Sequence, residues 1–179
     1  MSKQTLGQSL YGWLQTITAV LTAIILVFTF LGRITPVDGV SMEPTLHTGD
    51  LMLVRSIGYR PRQGDVVVLT KPFDLTEGPI VKRVIAVGGQ QVDIDYGTGT
   101  VYMDGAALDE PYLKEVMRPP WYGGLTSVTV PEGSVFVMGD NRNNSNDSRD
   151  VTLGTVDERY ILGRAELVFF PFRNFGRIQ

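Results

Sequence analysis

Ile80-Val81-Lys82-Arg83-Val84-Ile85-Ala86-Val87-Gly88-Gly89 is a run dominated by valine and isoleucine and closed by a Gly-Gly pair. Branched side chains fit a pleated, half-buried surface, and glycine ends such runs, so the segment reads as a strand. The same texture recurs outward from it. Leu51 to Ser56, Val66 to Thr70, Gln91 to Asp95, Val101 to Met103, Thr126 to Val130, Ser134 to Met138 and Ile161 to Phe170 are short apolar runs separated by Gly, Pro, Asn and Asp. Connections this short suit antiparallel pairing. A mainly β domain with an antiparallel sheet is therefore expected over residues 36–179. Asp104-Gly105, directly after Val101-Tyr102-Met103, fits a two-residue hairpin turn whose central positions both need positive φ. The stretch from Asp95 to Thr126 is rich in turn residues and proline, and reads as a β-ribbon excursion from the main sheet.

Before this domain the pattern changes. Leu14 to Leu31 carries no charge, and eighteen residues of helix extend about 27 Å, close to the thickness of a bilayer's hydrocarbon core. Residues 1–35 thus read as a tail and single transmembrane helix. A cleaved signal peptide is the alternative, but the run is long for one, and Gly32-Arg33-Ile34-Thr35-Pro36 follows with no small-x-small site. An uncleaved anchor is expected. Tyr11 and Trp13 suit a membrane interface, while Lys3 and the amino terminus compete with Arg33 in setting orientation.

With 179 residues the chain accommodates this anchor and one globular domain able to bury a core without disulfides. Sixteen basic and nineteen acidic residues give a net charge of -3 with no long run of either sign, which argues against a nucleic-acid surface and favours peptide over phosphate substrates. The absence of cysteine excludes a thiol nucleophile. One histidine and scattered carboxylates form no metal-ligand spacing, so neither metal nor cofactor is expected.

Ser41 lies in Gly39-Val40-Ser41-Met42-Glu43-Pro44-Thr45, just beyond the apolar run. A serine hydroxyl becomes a nucleophile when a neighbouring base takes its proton, and a lysine serves only as the neutral amine. Lowering a lysine pKa from about 10.4 to roughly 7 or 8 destabilises the ammonium by about 3 to 5 kcal/mol, which apolar burial supplies. Ile80, Val81, Val84 and Ile85 surround Lys82 in sequence, although strand alternation puts only Val84 on its face, so further cover must come from distant segments. Taken singly, Lys82 is also an ordinary solvated strand lysine and Ser41 an ordinary turn residue. His47 is the sole conventional base, but the spacing gives it no carboxylate partner.

The joint pattern is more specific. Gly39 to Leu46, Gly49-Asp50, Gly64-Asp65-Val66-Val67-Val68, Val81 to Gly89 and Gly139-Asp140-Asn141-Arg142-Asn143-Asn144-Ser145-Asn146-Asp147-Ser148-Arg149 occur in this order and together resemble the type I signal peptidases. Leu108-Asp109-Glu110-Pro111-Tyr112-Leu113 also looks like a recurrent segment of that family. The resemblance implies Ser41 as acylating nucleophile, Lys82 as general base, and Ser145 as a second hydroxyl that orients the lysine amine. It makes Asp147 and Arg149 a pair that holds the last motif in place, the plain alternative being a surface ion pair worth under about 1 kcal/mol. It further implies secretory preproteins as substrates, cut after small residues in the Ala-x-Ala manner. Val37, Met42, Leu46, Ile80 and Val81 are the candidate pocket residues, with core packing as the alternative for each. The lipid bilayer is the other expected partner, with the amino terminus cytoplasmic and the β domain extracytoplasmic.

Some family members carry a hydroxyl residue two positions before the nucleophile, where this chain has Gly39. The Ser41 backbone N–H is then the expected oxyanion donor, with a second backbone donor or a water beside it, and if the site merely lacks a donor, Gly39→Ser should not lose activity severely. Two other readings remain: a self-cleaving Ser-Lys peptidase of the repressor type, and a tethered β domain that binds export partners without cleaving. Near the carboxyl end, Phe169, Phe170, Phe172 and Phe175 cluster around Arg173. They form either a core strand or a surface that dips into the lipid interface.

Overall fold

The structure, a computed structural model, describes residues 6–71, 78–120 and 123–179. Lys3, invoked above for orientation, lies outside the described residues. Helix α1, Leu6–Leu31, contains an 18-residue apolar window, Ser9–Leu26, none of which is buried against the protein. It is long and apolar enough to cross a membrane.

Twelve strands follow among the described residues: β1 (Arg33–Pro36), β2 (Leu51–Arg55), β3 (Val66–Leu69), β4 (Ile80–Val87), β5 (Gln91–Asp95), β6 (Thr100–Met103), β7 (Ala106–Ala107), β8 (Ser127–Thr129), β9 (Ser134–Met138), β10 (Val156–Asp157), β11 (Ile161–Phe170) and β12 (Gly176–Arg177). The expected mainly β, antiparallel architecture is present. β4, β5, β6, β9 and β11 cover the residues read as strands from sequence, and β2, β3 and β8 lie within the three other expected runs. β1, β7, β10 and β12 were not expected, because two to four residues are too few to display a period.

The strands form two sheets. The larger runs β1-β2-β11-β3-β4-β9-β10, with β12 added on β11, and the smaller runs β7-β6-β5-β8. All pairings are antiparallel. The smaller sheet spans residues 91–129, so it contains the 95–126 excursion together with its flanking strands. Asp104 (φ +50°) and Gly105 (φ +81°) form the tight turn between β6 and β7, as the Asp-Gly pair indicates.

Three apolar clusters hold this arrangement. One lies beneath the segment after β1 and joins Val37, Met42 and Leu46 to Met52, Val54, Val66, Val68, Ala165 and Val168. The second packs the two sheets together through Ile85, Ala86, Phe136 and Met138 against Val92, Ile94, Val101 and Val130. The third joins Val67, Leu69, Val84, Val135 and Val137 to Leu153 and Val156. β4 sits between β3 and β9, with Lys82 opposite Val67. A register shift between Val84 and Ala86 moves the strand's phase, and residues 82–86 are all buried. Lys82 is thereby placed in the interior of the domain.

Candidate active site

The segment from Val37 to Asp50 is a compact loop that returns the chain from β1 to β2. Val37 N donates to Asp50 O at 2.8 Å, Gly49 N to Val37 O at 2.9 Å, and Leu46 N to Met42 O at 2.9 Å. Met42 and Leu46 anchor it in the first apolar cluster. The loop after β9 clamps it from the other side: Asn141 Nδ2 donates to Val40 O and the Asn141 backbone N–H to Ser41 O, both at 3.0 Å. Ser41 is thus fixed by hydrogen bonds to the carbonyls on either side of its Cα.

Lys82 reaches this loop from β4. It is 4% exposed, and its Nζ is hydrogen-bonded to Ser41 Oγ at 2.7 Å. Burial lowers the Lys82 pKa to about 8; Arg149 lowers it too, while Asp147 and Asp140 oppose the shift. The two residues open onto a cleft of about 310 Å³ lined also by Val37, Asp38, Gly39, Val40, Met42, Pro79, Ile80, Val81, Asn144 and Asn146.

Buried ion pairs support the site. Arg149 Nε donates to Asp147 Oδ1 at 2.8 Å and Arg149 Nη2 to the Arg142 carbonyl at 2.6 Å, with both charged side chains sealed from solvent. Burial pushes the Asp147 pKa up, but the Arg149 charge and the Gly139 N–H outweigh it and hold this carboxyl below the usual range. Arg83 makes two bonds to Asp140, at 2.8 and 2.7 Å, and its guanidinium lies 3.9 Å from the centre of the Tyr112 ring. Arg142 pairs with Glu110.

The family model "Signal peptidase, peptidase S26" matches residues 10–170. The chain belongs to the signal peptidase family. A probable signal peptidase I-1 from Synechocystis sp. is 40% identical over 172 residues, covering 90% of this chain and 82% of its own length. A signal peptidase I from Bacillus licheniformis is 36% identical over 178 residues, covering 94% and 93% respectively. A signal peptidase I of known crystal structure, from Enterococcus faecalis V583, matches 59% of this chain and 97% of its own at 28% identity, with a TM-score of 0.46. Family membership makes this chain a serine peptidase.

For this signal peptidase family member, the structure distributes the residues singled out in sequence unevenly. Ser41 and Lys82 meet, and Val37, Met42, Ile80 and Val81 line the same cleft. Leu46 does not. It is fully buried with Met52 and Val54, because the turn from Met42 to Leu46 tucks its side chain under the loop, so core packing is the correct reading for it. Ser145 Oγ is sealed from solvent and has no hydrogen-bond partner among the described residues; it lies near Asp147 without meeting bonding geometry. Asp147 and Arg149 are not the surface ion pair offered as an alternative, since they are 0% and 1% exposed.

Gly39 has φ +94°, a conformation that costs an L-residue of order 1 kcal/mol or more. The space around it is open, so a serine there meets backbone strain rather than a clash. His47 is exposed, and its backbone N–H donates to Asp50 at 2.9 Å. The sequence assigned no role to Asn141, which holds the Ser41 loop, or to Arg83, Asp140 and Tyr112. The signal for all four was their presence in the motif blocks; their packing joins residues far apart in the chain.

Proposed function

We propose that the chain is a membrane-bound serine endopeptidase that removes amino-terminal signal peptides from exported preproteins, with Ser41 as nucleophile and Lys82 as general base. The 2.7 Å separation of Lys82 Nζ and Ser41 Oγ carries this reading. With the amine neutral, the Ser41 hydroxyl donates its proton to Nζ as Oγ attacks the scissile carbonyl. The Lys82 ammonium then protonates the leaving amine, which departs as the new amino terminus of the mature protein. A water that loses its proton to the regenerated Lys82 amine hydrolyses the acyl ester on Ser41.

Among the described residues the Ser41 amide has no acceptor, and in this account it donates to the oxyanion. In this account Ser145 Oγ, unpaired among the described residues, is the hydroxyl that turns to the lysine amine, and Asp147 with Arg149 holds Gly139 and the Ser145 carbonyl in place. The cleft walls made by Val37, Met42, Ile80 and Val81 accept small side chains, which favours Ala-x-Ala sites. α1 anchors residues 36–179 to the extracytoplasmic face, with the amino terminus in the cytoplasm.

The exposed rings at the end of β11 fit this placement. Phe172 is 82% and Phe175 65% exposed, and Phe170 meets Phe172 edge-on with ring centres 6.0 Å apart. Aromatic side chains displayed this way suit the lipid interface.

Cleavage of an Ala-x-Ala preprotein by the detergent-solubilised protein tests the function, with the product read by amino-terminal sequencing. One cut after the second alanine by the parent, abolished in Ser41→Ala and Lys82→Met, is expected. A folded parent that binds the preprotein without cutting it would contradict the proposal.

A further inference from the structure

A second cavity, of about 200 Å³, opens where the connection from β2 to β3 folds against β11. Arg55, Arg60, Arg62 and Arg164 line it, and Asp65 is the acid in its wall. Such a concentration is out of keeping with a chain whose net charge is -3.

The local acids do not neutralise it. Glu166 accepts from Arg55 Nε at 2.7 Å. Asp65 is shared among the Tyr59 hydroxyl at 2.8 Å, the Arg62 backbone N–H at 3.0 Å and an ion pair with Arg164 at 3.2 Å. Arg164 Nε is sealed from solvent and yet lacks a bond of proper geometry. The guanidinium groups of Arg60 and Arg62 have no acidic partner among the described residues. Four arginines against these two acids leave two positive charges in excess. Arg55 and Arg164 are, moreover, direct cross-strand partners, and like charges in that relation oppose each other. An anion between the guanidinium forks removes the repulsion, and tetrahedral phosphate oxygens match their geometry.

The location indicates the source of such an anion. Arg55 follows Val54, the register partner of Arg33, which opens β1 immediately after α1 and Gly32. A Cβ built on Gly32 would lie 3.0 Å from the Val54 carbonyl. The basic cavity therefore sits beside the junction of the apolar helix with the domain. Ile34 in β1 and Ile57 just after β2 are 48% and 57% exposed. Exposed aliphatic side chains next to arginines are what a membrane interface attracts.

We propose that this cavity binds a phosphate group, supplied by the headgroup of a phospholipid in the bilayer that α1 enters. Only the source of the phosphate rests on the membrane-anchored reading; the site is separate from Ser41 and Lys82.

Native mass spectrometry of the full-length protein in detergent tests it, with dihexanoylphosphatidylglycerol and inorganic phosphate titrated separately against the parent and the double variant Arg60→Gln, Arg62→Gln. The parent should bind the lipid about tenfold or more tighter than the variant, the loss expected when charge-assisted bonds to phosphate are removed, and should bind inorganic phosphate more weakly than the lipid. Equal binding of both ligands, with the variant still weakened, would keep the phosphate site and overturn its assignment to a headgroup. Equal affinity of parent and variant for both ligands would overturn the site itself. Cleavage of a soluble peptide is measured on the same samples and should not differ between them, so failure of the peptidase reading shows separately from failure of this one.

Discussion

Lys82 Nζ lies 2.7 Å from Ser41 Oγ, although the lysine sits in the buried middle of β4 and the serine on a loop held by Asn141. The fold keeps an amine where its charged form is disfavoured and its neutral form has a hydroxyl to deprotonate. Both consequences are measurable.

Stability should respond to Lys82 in a sign opposite to that of a paired lysine. Its folded-state pKa of about 8 lies below the unfolded value of 10.5, so between these values the unfolded chain binds more protons and the parent gains stability as pH rises. Below about pH 8 the full penalty of the buried ammonium applies, about 3 kcal/mol. Lys82→Met should therefore be more stable than the parent at pH 7, by up to about 3 kcal/mol, and the gap should close by about pH 10.5. Denaturant unfolding at both pH values measures it. A variant less stable at pH 7 would mean that the amine is not held at this cost.

Asp147→Asn should be severe for a different reason. It removes the carboxylate charge that pairs with Arg149 in the interior, and breaking a buried ion pair by removing one charge costs about 3–5 kcal/mol. Replacement of both residues by apolar ones should cost less than the single change. Thermal unfolding of these two variants beside the parent gives the comparison.

Gly139 admits no side chain. A Cβ there would collide with Ser145 and with the Ser41 carbonyl, so Gly139→Ala should displace the nucleophile loop and lower kcat by more than it raises KM. Gly39→Ser should weaken activity through backbone strain, since nothing blocks the hydroxyl itself. Steady-state kinetics on a peptide substrate distinguishes the two cases from simple unfolding.

Phe172→Ser with Phe175→Ser should leave the melting temperature nearly unchanged, because neither ring belongs to an apolar cluster and both are mostly exposed. In liposomes the same variant should lose hydrogen-exchange protection around residues 170–175. A large fall in melting temperature would return these rings to the core.

Much of this was legible in the chain itself. The long apolar runs over β4, β9 and β11 carry enough residues for a strand pattern, and Asp104-Gly105 carries its turn in its own φ preferences. The order of the motif blocks brought Ser41 and Lys82 together as candidates. Short strands such as β1 and β10 were illegible because only their partners define them. Leu46 was misplaced because an apolar residue near a nucleophile has the same identity whether it faces the cleft or the core. The burial of Asp147 and Arg149, and the meeting of Arg55 and Arg62 with Arg164, depend on contacts across a long stretch of sequence. No local pattern records them.

The most direct test is the rate of acyl-enzyme formation on Ser41, followed by rapid quenching and mass spectrometry across pH. The rate should rise about tenfold per pH unit below the Lys82 pKa, as expected when only the neutral amine is active, and level off above about pH 8, with no adduct in Lys82→Met. A rate independent of pH through this range, or an undiminished adduct in Lys82→Met, would contradict Lys82 as the general base.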